Sequence, residues 1–340
     1  MARVGLKEIA KRAGVSAVTV SAALNGTGRV SEKKRREIMS IAERLKYQPN
    51  TLAQILKSKR NDSIGLIIND DPASIPGSGI MNELVMCFIK QCEALNRKYH
   101  IEFVDPLNGK DELPDIISSG FVGGVLCAGY ICEHQTRFKD WLGSHSNFPF
   151  VKIEEPYDYC LRTDLVNGML NALKYLKQQG HTKVALHIGP LHYDFHNLIF
   201  RGYKQGTDVL SMQTDEKWIY YDKSKRDDMV DKFNWTKSIM SGSERPTAMI
   251  CAGMGASRNI INNLYQLGCK VPDDLSIIGF GAAWEATAIF PHITAVERDV
   301  SGMMEKAIVM LQQRMKGDFP TTVENWIDPK LVIRNTVCPV

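Results

Sequence analysis

The sequence predicts a two-part chain: a small all-α unit followed by a larger α/β unit built on parallel sheets. Three observations predict it. Apolar residues recur at helical spacing, with no strand pattern, through the first 47 residues. From Ser63 onward, short apolar runs alternate with amphipathic stretches, the pattern of parallel strands covered by helices on both faces. Charge divides in the same place: residues 1–60 hold 14 Lys/Arg and 4 Asp/Glu, a net of +10, whereas the other 280 residues hold 28 and 34, a net of −6.

Taken in order, Leu6, Ile9, Ala10 and Ala13 mark a first short helix that Gly14 ends. Ser16 can cap a second helix from Ala17 to Asn25, and Gly26-Thr27-Gly28 stops it. Ser31 can cap a third, with Ile38, Ile41 and Leu45 on one face. Two short helices joined around a glycine, followed by a third, is the helix-turn-helix plan. After Tyr47-Gln48-Pro49, Asn50 can cap a further helix from Thr51 to Leu56, too short to stand alone in water. Lys57 to Asp62 reads as linker.

The larger unit offers candidate strands at 64–68, 101–104, 122–127, 150–153, 184–188, 248–251 and 275–280, with helices at 81–97, 165–179, 201–210, 257–267 and 300–315. Two half-sized runs of this pattern suggest two similar lobes, and ligands in such folds collect at the carboxyl ends of the strands.

Length and composition narrow the function classes. The 340 residues suit two or three globular units, and 44% apolar with 24% charged residues is a globular composition. No apolar run approaches the roughly 20 residues of a membrane span, and the N-terminus has no apolar signal core, so a cytoplasmic protein is expected. The eight cysteines form no CxxC pair and read as buried free thiols. No metal or cofactor is expected. His181, His187, His192 and His196 straddle a strand and a loop and read as satisfied or solvent-exposed histidines, and no phosphate loop, HExxH motif or nucleophile elbow supports an enzyme. A basic module on an acidic body suits a polyanion held at one end, although a solvated basic surface would look the same by charge alone.

Particular residues go further. Leu6-Lys7-Glu8-Ile9-Ala10-Lys11-Arg12-Ala13-Gly14-Val15-Ser16, then Thr19-Val20-Ser21, Leu24-Asn25-Gly26 and Val30-Ser31, closely resembles the headpiece of the lac repressor-like (LacI/GalR) family of bacterial transcription regulators. Tyr47-Gln48-Pro49-Asn50 with Leu52-Ala53-Gln54-Ile55-Leu56 resembles its hinge helix. Looser similarity continues through Gln179-Gly180-His181, Gly189-Pro190-Leu191, Val271-Pro272-Asp273-Asp274, Ile278-Gly279-Phe280 and Ile293-Thr294-Ala295-Val296. The resemblance implies a DNA-binding headpiece over 1–47, a hinge helix and linker over 48–61, and a periplasmic-binding-protein-like core over 62–340. Its N-lobe would span about 62–161 and 290–320, and its C-lobe about 162–289 and 321–340. It further implies a repressor that binds a palindromic double-stranded operator as a homodimer, with a small-molecule effector in the core. A transport-type binding protein would share the core but would have no use for residues 1–60.

The resemblance also places candidate sites. Ser16, Thr19, Ser21 and Asn25 are short hydrogen-bonders suited to phosphate and groove contacts, or else caps and polar surface. The base-reading positions fall on Ala17, Val18 and Ala22, all apolar, so readout there would lean on thymine methyls. Asn50, Ala53, Leu56 and Lys57 belong to the hinge segment. Leu56 matches the leucine that wedges into the minor groove; packing on its neighbours is the alternative. Candidate effector residues are Asp70, Asp164, Tyr193, Phe195, Ile199, Gly253, Gly281 and Trp284. Here the sequence departs from the family: Ile199 replaces an Arg, Gly253-Met254 an Asn-Asp pair, and Gly281 an Asp, and Asp71–Gly79 looks inserted. The expectation is a less hydroxylated, more apolar ligand, or a core set by a partner protein or by dimerisation alone.

Overall fold

The computed structural model describes residues 5–24, 28–45, 47, 61–70, 78–106, 110–222, 229–318 and 323–340. The expected hinge segment, apart from Asn61, and most of the expected insertion lie outside them. The chain divides into two compact units, Met1–Asn61 and Asp62–Val340, the boundary at which the charge changes sign.

In the first unit, α1 (Leu6–Ala13), α2 (Ala17–Leu24) and α3 (Glu32–Arg44) close around Ile9, Val20, Ile38 and Ile41. Gly14 ends α1 in the left-handed region, φ 63°, and its N–H caps the Ala10 carbonyl. Ser16 Oγ accepts from Thr19 N–H at 3.1 Å and starts α2, as Ser31 Oγ does for Lys34 N–H at the head of α3. Both caps were legible as serines standing just before apolar periodicity.

The second unit holds two six-stranded sheets. In chain order its elements are β1 (Ile64–Asn69), α4 (Gly79–Ala94), β2 (Tyr99–Val104), α5 (Asp115–Ser118), β3 (Gly124–Ala128), α6 (Thr136–Ser144), β4 (Phe150–Ile153) and β5 (Tyr159–Thr163). There follow α7 (Leu165–Gln178), β6 (Val184–Ile188), α8 (Asp194–Val209), β7 (Ile219–Tyr221), α9 (Met229–Ser241), β8 (Ala248–Cys251), α10 (Met254–Gln266) and β9 (Ser276–Gly281). The chain ends with α11 (Ala283–Ala286), β10 (Thr294–Glu297), α12 (Val300–Met315), β11 (Val323–Ile327) and β12 (Lys330–Val332).

One sheet runs β11-β5-β4-β3-β1-β2 and the other β12-β10-β9-β8-β6-β7. Every pairing is parallel except β10 with β12. The first sheet packs on α4 and α12 through Leu66, Phe88, Leu126, Met304 and Leu311. The second packs on α7 and α8 through Leu173, Leu186, Ile199, Tyr203 and Phe280. The central strands are buried along their whole length, which is why they read as unbroken apolar runs.

The lobes exchange chain later than expected. Strand β5 stays in the first sheet to Thr163, β10 belongs to the second, and β11 returns to the first. The crossings therefore fall near 164, 298–299 and 328–329 rather than near 161, 290 and 320. Residues 290–297 belong to the C-lobe, and β11 to the N-lobe. Among the described residues, no helix is long and apolar enough to cross a membrane.

Candidate functional site

The helix-turn-helix presents one apolar and one hydroxylated edge. On α2, Val20 and Ala23 face inward and are buried, whereas Val18 is 71% exposed. Ala17 packs partly on the headpiece core, and a Cβ built on Gly28 would lie 3.2 Å from Ala22 Cβ, so that alanine sits under the following turn. Of the three apolar positions, Val18 is thus the one that stands fully out. Ser16 Oγ and Thr19 Oγ1 lie 2.9 Å apart at the helix N-terminus. Of the two alternatives for these hydroxyls, phosphate contact or cap, the geometry displays the cap, Ser16 Oγ accepting from Thr19 N–H. Ser21 is half-buried. Asn25, Asn50, Ala53, Leu56 and Lys57 lie outside the described residues.

In the second unit a cavity of about 570 Å³ opens at the carboxyl ends of both sheets. Asp70 follows β1, Gly129 follows β3, Glu154 and Glu155 follow β4, Pro190 follows β6, Gly253 follows β8, and Arg298 follows β10. Ile80, Met81, Leu84, Tyr193, Phe195, Met254 and Phe280 supply most of the apolar wall. Of the expected effector residues, Asp70, Tyr193, Phe195, Gly253 and Gly281 line it. Three do not. Ile199 is fully buried in the core under the second sheet, because α8 turns that face inward. Asp164 caps α7 by accepting from Asn167 N–H at 2.9 Å. Trp284 stands 53% exposed on α11, away from the lining.

The glycines that replace polar family residues are there for backbone reasons. Gly253 has φ 146° and Gly281 φ 156°, and a Cβ on Gly281 would come within 2.7 Å of Met254 Cγ. Met254, buried, lies across that corner of the cavity.

Charge reaches the cavity from positions the sequence reading passed over. Arg298 Nη1 pairs with Glu154 Oε1 at 3.5 Å, and its guanidinium sits 5.0 Å from the centre of the Phe195 ring. Glu154 also takes Thr163 N–H at 3.0 Å and Thr163 Oγ1 at 2.7 Å. Arg258 Nη1 pairs with Glu285 Oε1 at 3.4 Å. Burial raises the Glu155 carboxyl to about 7, against the lowering influence of Lys152. Burial also drives His196 down to about 3, so it stays neutral, held by the Pro190 carbonyl at 3.1 Å. His181 is likewise spoken for, between Thr247 Oγ1 and the Cys338 carbonyl.

Contacts cross the mouth between the lobes. Tyr130 after β3 meets His192 and Tyr193 at ring-centre distances of 5.9 and 6.2 Å. Arg162 at the end of β5 pairs with Asp194 of α8 and lies 4.3 Å from the Trp326 ring centre. Of these charges, Glu154, Glu155 and Arg298 were missed because each reads in sequence as loop surface. Their one available signal was position, directly after an apolar strand (Ile153-Glu154-Glu155 and Val296-Glu297-Arg298).

Comparison with known proteins places both units. Residues 5–50 match the model of bacterial regulatory proteins of the lacI family, and residues 173–337 match a periplasmic binding protein-like domain. The HTH-type transcriptional repressor PurR of Actinobacillus pleuropneumoniae serotype 3 (strain JL03) is 26% identical over 344 residues, covering 98% of each chain. PurR of Proteus mirabilis (strain HI4320) is 25% identical, covering 98% of this chain and 96% of its own. Among solved structures, the lac repressor dimer bound to operator and the anti-inducer ONPF superposes with a TM-score of 0.85 at 20% identity, covering 99% and 100% of the two chains. A CelR–cellobiose complex gives a TM-score of 0.71 at 19% identity, covering 98% and 100%. The helix-turn-helix unit, the two-lobed core and these likenesses agree: the chain belongs to the lac repressor-like (LacI/GalR) family of bacterial transcription regulators.

Proposed function

We propose that this chain is a repressor that binds an inverted-repeat operator as a homodimer, and that a small molecule in the core cavity sets its operator affinity. The observation that carries the reading is the headpiece: a capped α2 with Val18 exposed beside the Ser16–Thr19 hydroxyl pair, on a segment with a net charge of +10. One such headpiece covers too little DNA for tight specific binding, and two-fold symmetry doubles its contacts. Lys and Arg supply the salt-dependent grip on phosphates. Val18 offers a methyl surface to a thymine methyl, and Leu56, from its place in the hinge segment, is the candidate wedge at the central step.

Selection of operators from a random duplex pool, followed by binding titrations at several salt concentrations, tests this. The expected product is a two-fold symmetric site bound by two chains. Leu56→Ala should weaken specific binding while leaving salt-driven, non-specific binding nearly intact. Equal loss of both would make Leu56 a packing residue. An operator affinity unmoved by any small molecule would leave the core to a partner protein.

A further inference from the structure

The charged groups around the cavity are arranged reciprocally. α4 of the N-lobe points its N-terminus at the cavity through Ser78 and Gly79, and Glu285 of the C-lobe lies against it. A Cβ on Gly79 would stand 2.0 Å from both Cδ and Oε2 of that glutamate. α8 of the C-lobe begins at Asp194, and its backbone N–H donates to Glu155 of the N-lobe. Each lobe thus places a carboxyl group at a helix N-terminus of the other. These are the positions where free N–H groups and the helix dipole would otherwise receive an anion.

Basic groups near the cavity are also committed among the described residues: Lys152 donates to the Gly129 carbonyl and Arg162 pairs with Asp194. Arg298 is held by Glu154 and faces the Phe195 ring, and Arg258 is held by Glu285. Glu155 is 8% exposed, and burial keeps much of it protonated near neutrality. What the walls leave for a ligand is mainly aliphatic and aromatic surface.

We propose that the cavity selects an uncharged, largely apolar small molecule and excludes anions, because Glu285 and Glu155 already occupy the anion positions from within the chain. The proposal rests on the reading of this cavity as the effector site, and it names that effector's class. A carboxylate or phosphate entering here would meet Glu285 and Glu155 at the two helix N-termini, with Asp70 and Glu154 also in the lining, and among the described residues the guanidinium groups of Arg298 and Arg258 are already paired. An ammonium ion would lose its water against mainly aliphatic and aromatic walls, where Glu154 and Glu285 are already paired with arginines. A neutral ring or chain has neither difficulty.

The test uses the full chain and a fragment panel in matched triplets: benzamide, benzoate and benzylamine; indole, indole-3-acetate and tryptamine; glucose, glucose 6-phosphate and glucosamine. Binding is read by ligand-observed NMR, and operator release by fluorescence anisotropy. The expected result is that the ligands bound by the wild-type chain are neutral aromatic members, at least tenfold tighter than their charged counterparts. Glu285→Gln, which frees Arg258 and the α4 N-terminus, should gain at least tenfold for benzoate or glucose 6-phosphate. Glu285→Ala provides the same reading should the amide repack. Anions binding the wild type as well as neutral members do, no fragment binding at all, or no gain in either variant would overturn the proposal. Anion binding accompanied by operator release would overturn it while leaving the effector reading standing. Neutral binding without operator release would do the reverse.

Discussion

The headpiece and the core cavity are built on different length scales. Three helices spanning residues 6–44 make the headpiece, and its caps join residues three apart: Ser16 with Thr19, Ser31 with Lys34. The cavity gathers residues from Asp70 to Arg298, and its ion pairs span far more chain, as in Glu154 with Arg298. Local chemistry fixes the first, and the topology of two sheets fixes the second. The reading surface can therefore vary one residue at a time on a constant frame. A cavity made at the carboxyl ends of strands, by contrast, draws its charges from loops that are far apart in the chain.

The largest separation of the two regions should come from Ile38→Ala. Ile38 is fully buried in the headpiece, and truncation there costs on the order of 2–5 kcal/mol, a large fraction of what so small a unit possesses. Calorimetry should show the headpiece transition lost or displaced, specific operator binding abolished, and the core transition unmoved. A core that melts earlier as well would mean that the two units share their stability.

Glu155 gives the next effect, confined to the core. Burial pushes its carboxyl up to about 7 in the folded chain, from the ordinary glutamate value of 4.5. Between those values the folded state binds more protons than the unfolded one, so stability is lost as pH rises through the window, by about 3 kcal/mol. Glu155→Gln removes this term. Denaturant titrations at pH 4.5 and 8 should show the variant gaining on the wild type by about that amount at the higher pH. A pH-independent difference would refute the assignment.

The smaller effects return to the headpiece. Ser31→Ala removes the cap on α3 and should cost about 1 kcal/mol by urea titration. Val18→Ala should change stability by under about 0.5 kcal/mol, since the side chain is 71% exposed. It should relax base preference at one position of each half-site when operators are reselected.

The same contrast explains what the sequence disclosed. Headpiece helices and the central strands 150–153, 184–188 and 248–251 carry their own signals, serine caps or unbroken apolar runs, and they stand where expected. Strands β5, β7, β10, β11 and β12 carried none. β7 and β12 are three-residue edge strands, where brevity is tolerated, whereas the inner strands β5 and β10 carry Arg162 and Glu297, charges met by Asp194 and Arg334. At the cavity, Tyr193, Phe195, Gly253, Gly281 and Asp70 were legible through the family pattern, whereas Ile199 was misplaced by it. Ile199 lies in the core under the second sheet rather than in the cavity wall. Glu154, Glu155, Glu285 and Arg298 became visible once the crossings between lobes were known, since it is the fold that brings them to one place.

The central claim is that the headpiece reads a two-fold symmetric duplex and that the core carries the affinity control. Its most direct measurement is an anisotropy titration of the full chain on a selected operator and on a scrambled duplex, in physiological salt, with sedimentation of the complex. The account predicts two chains per duplex and a preference of at least ~10³-fold for the operator, with spacing between half-sites that cannot be changed by half a turn without losing it. A single chain binding an asymmetric site at full affinity, or equal affinity for both duplexes, would contradict it.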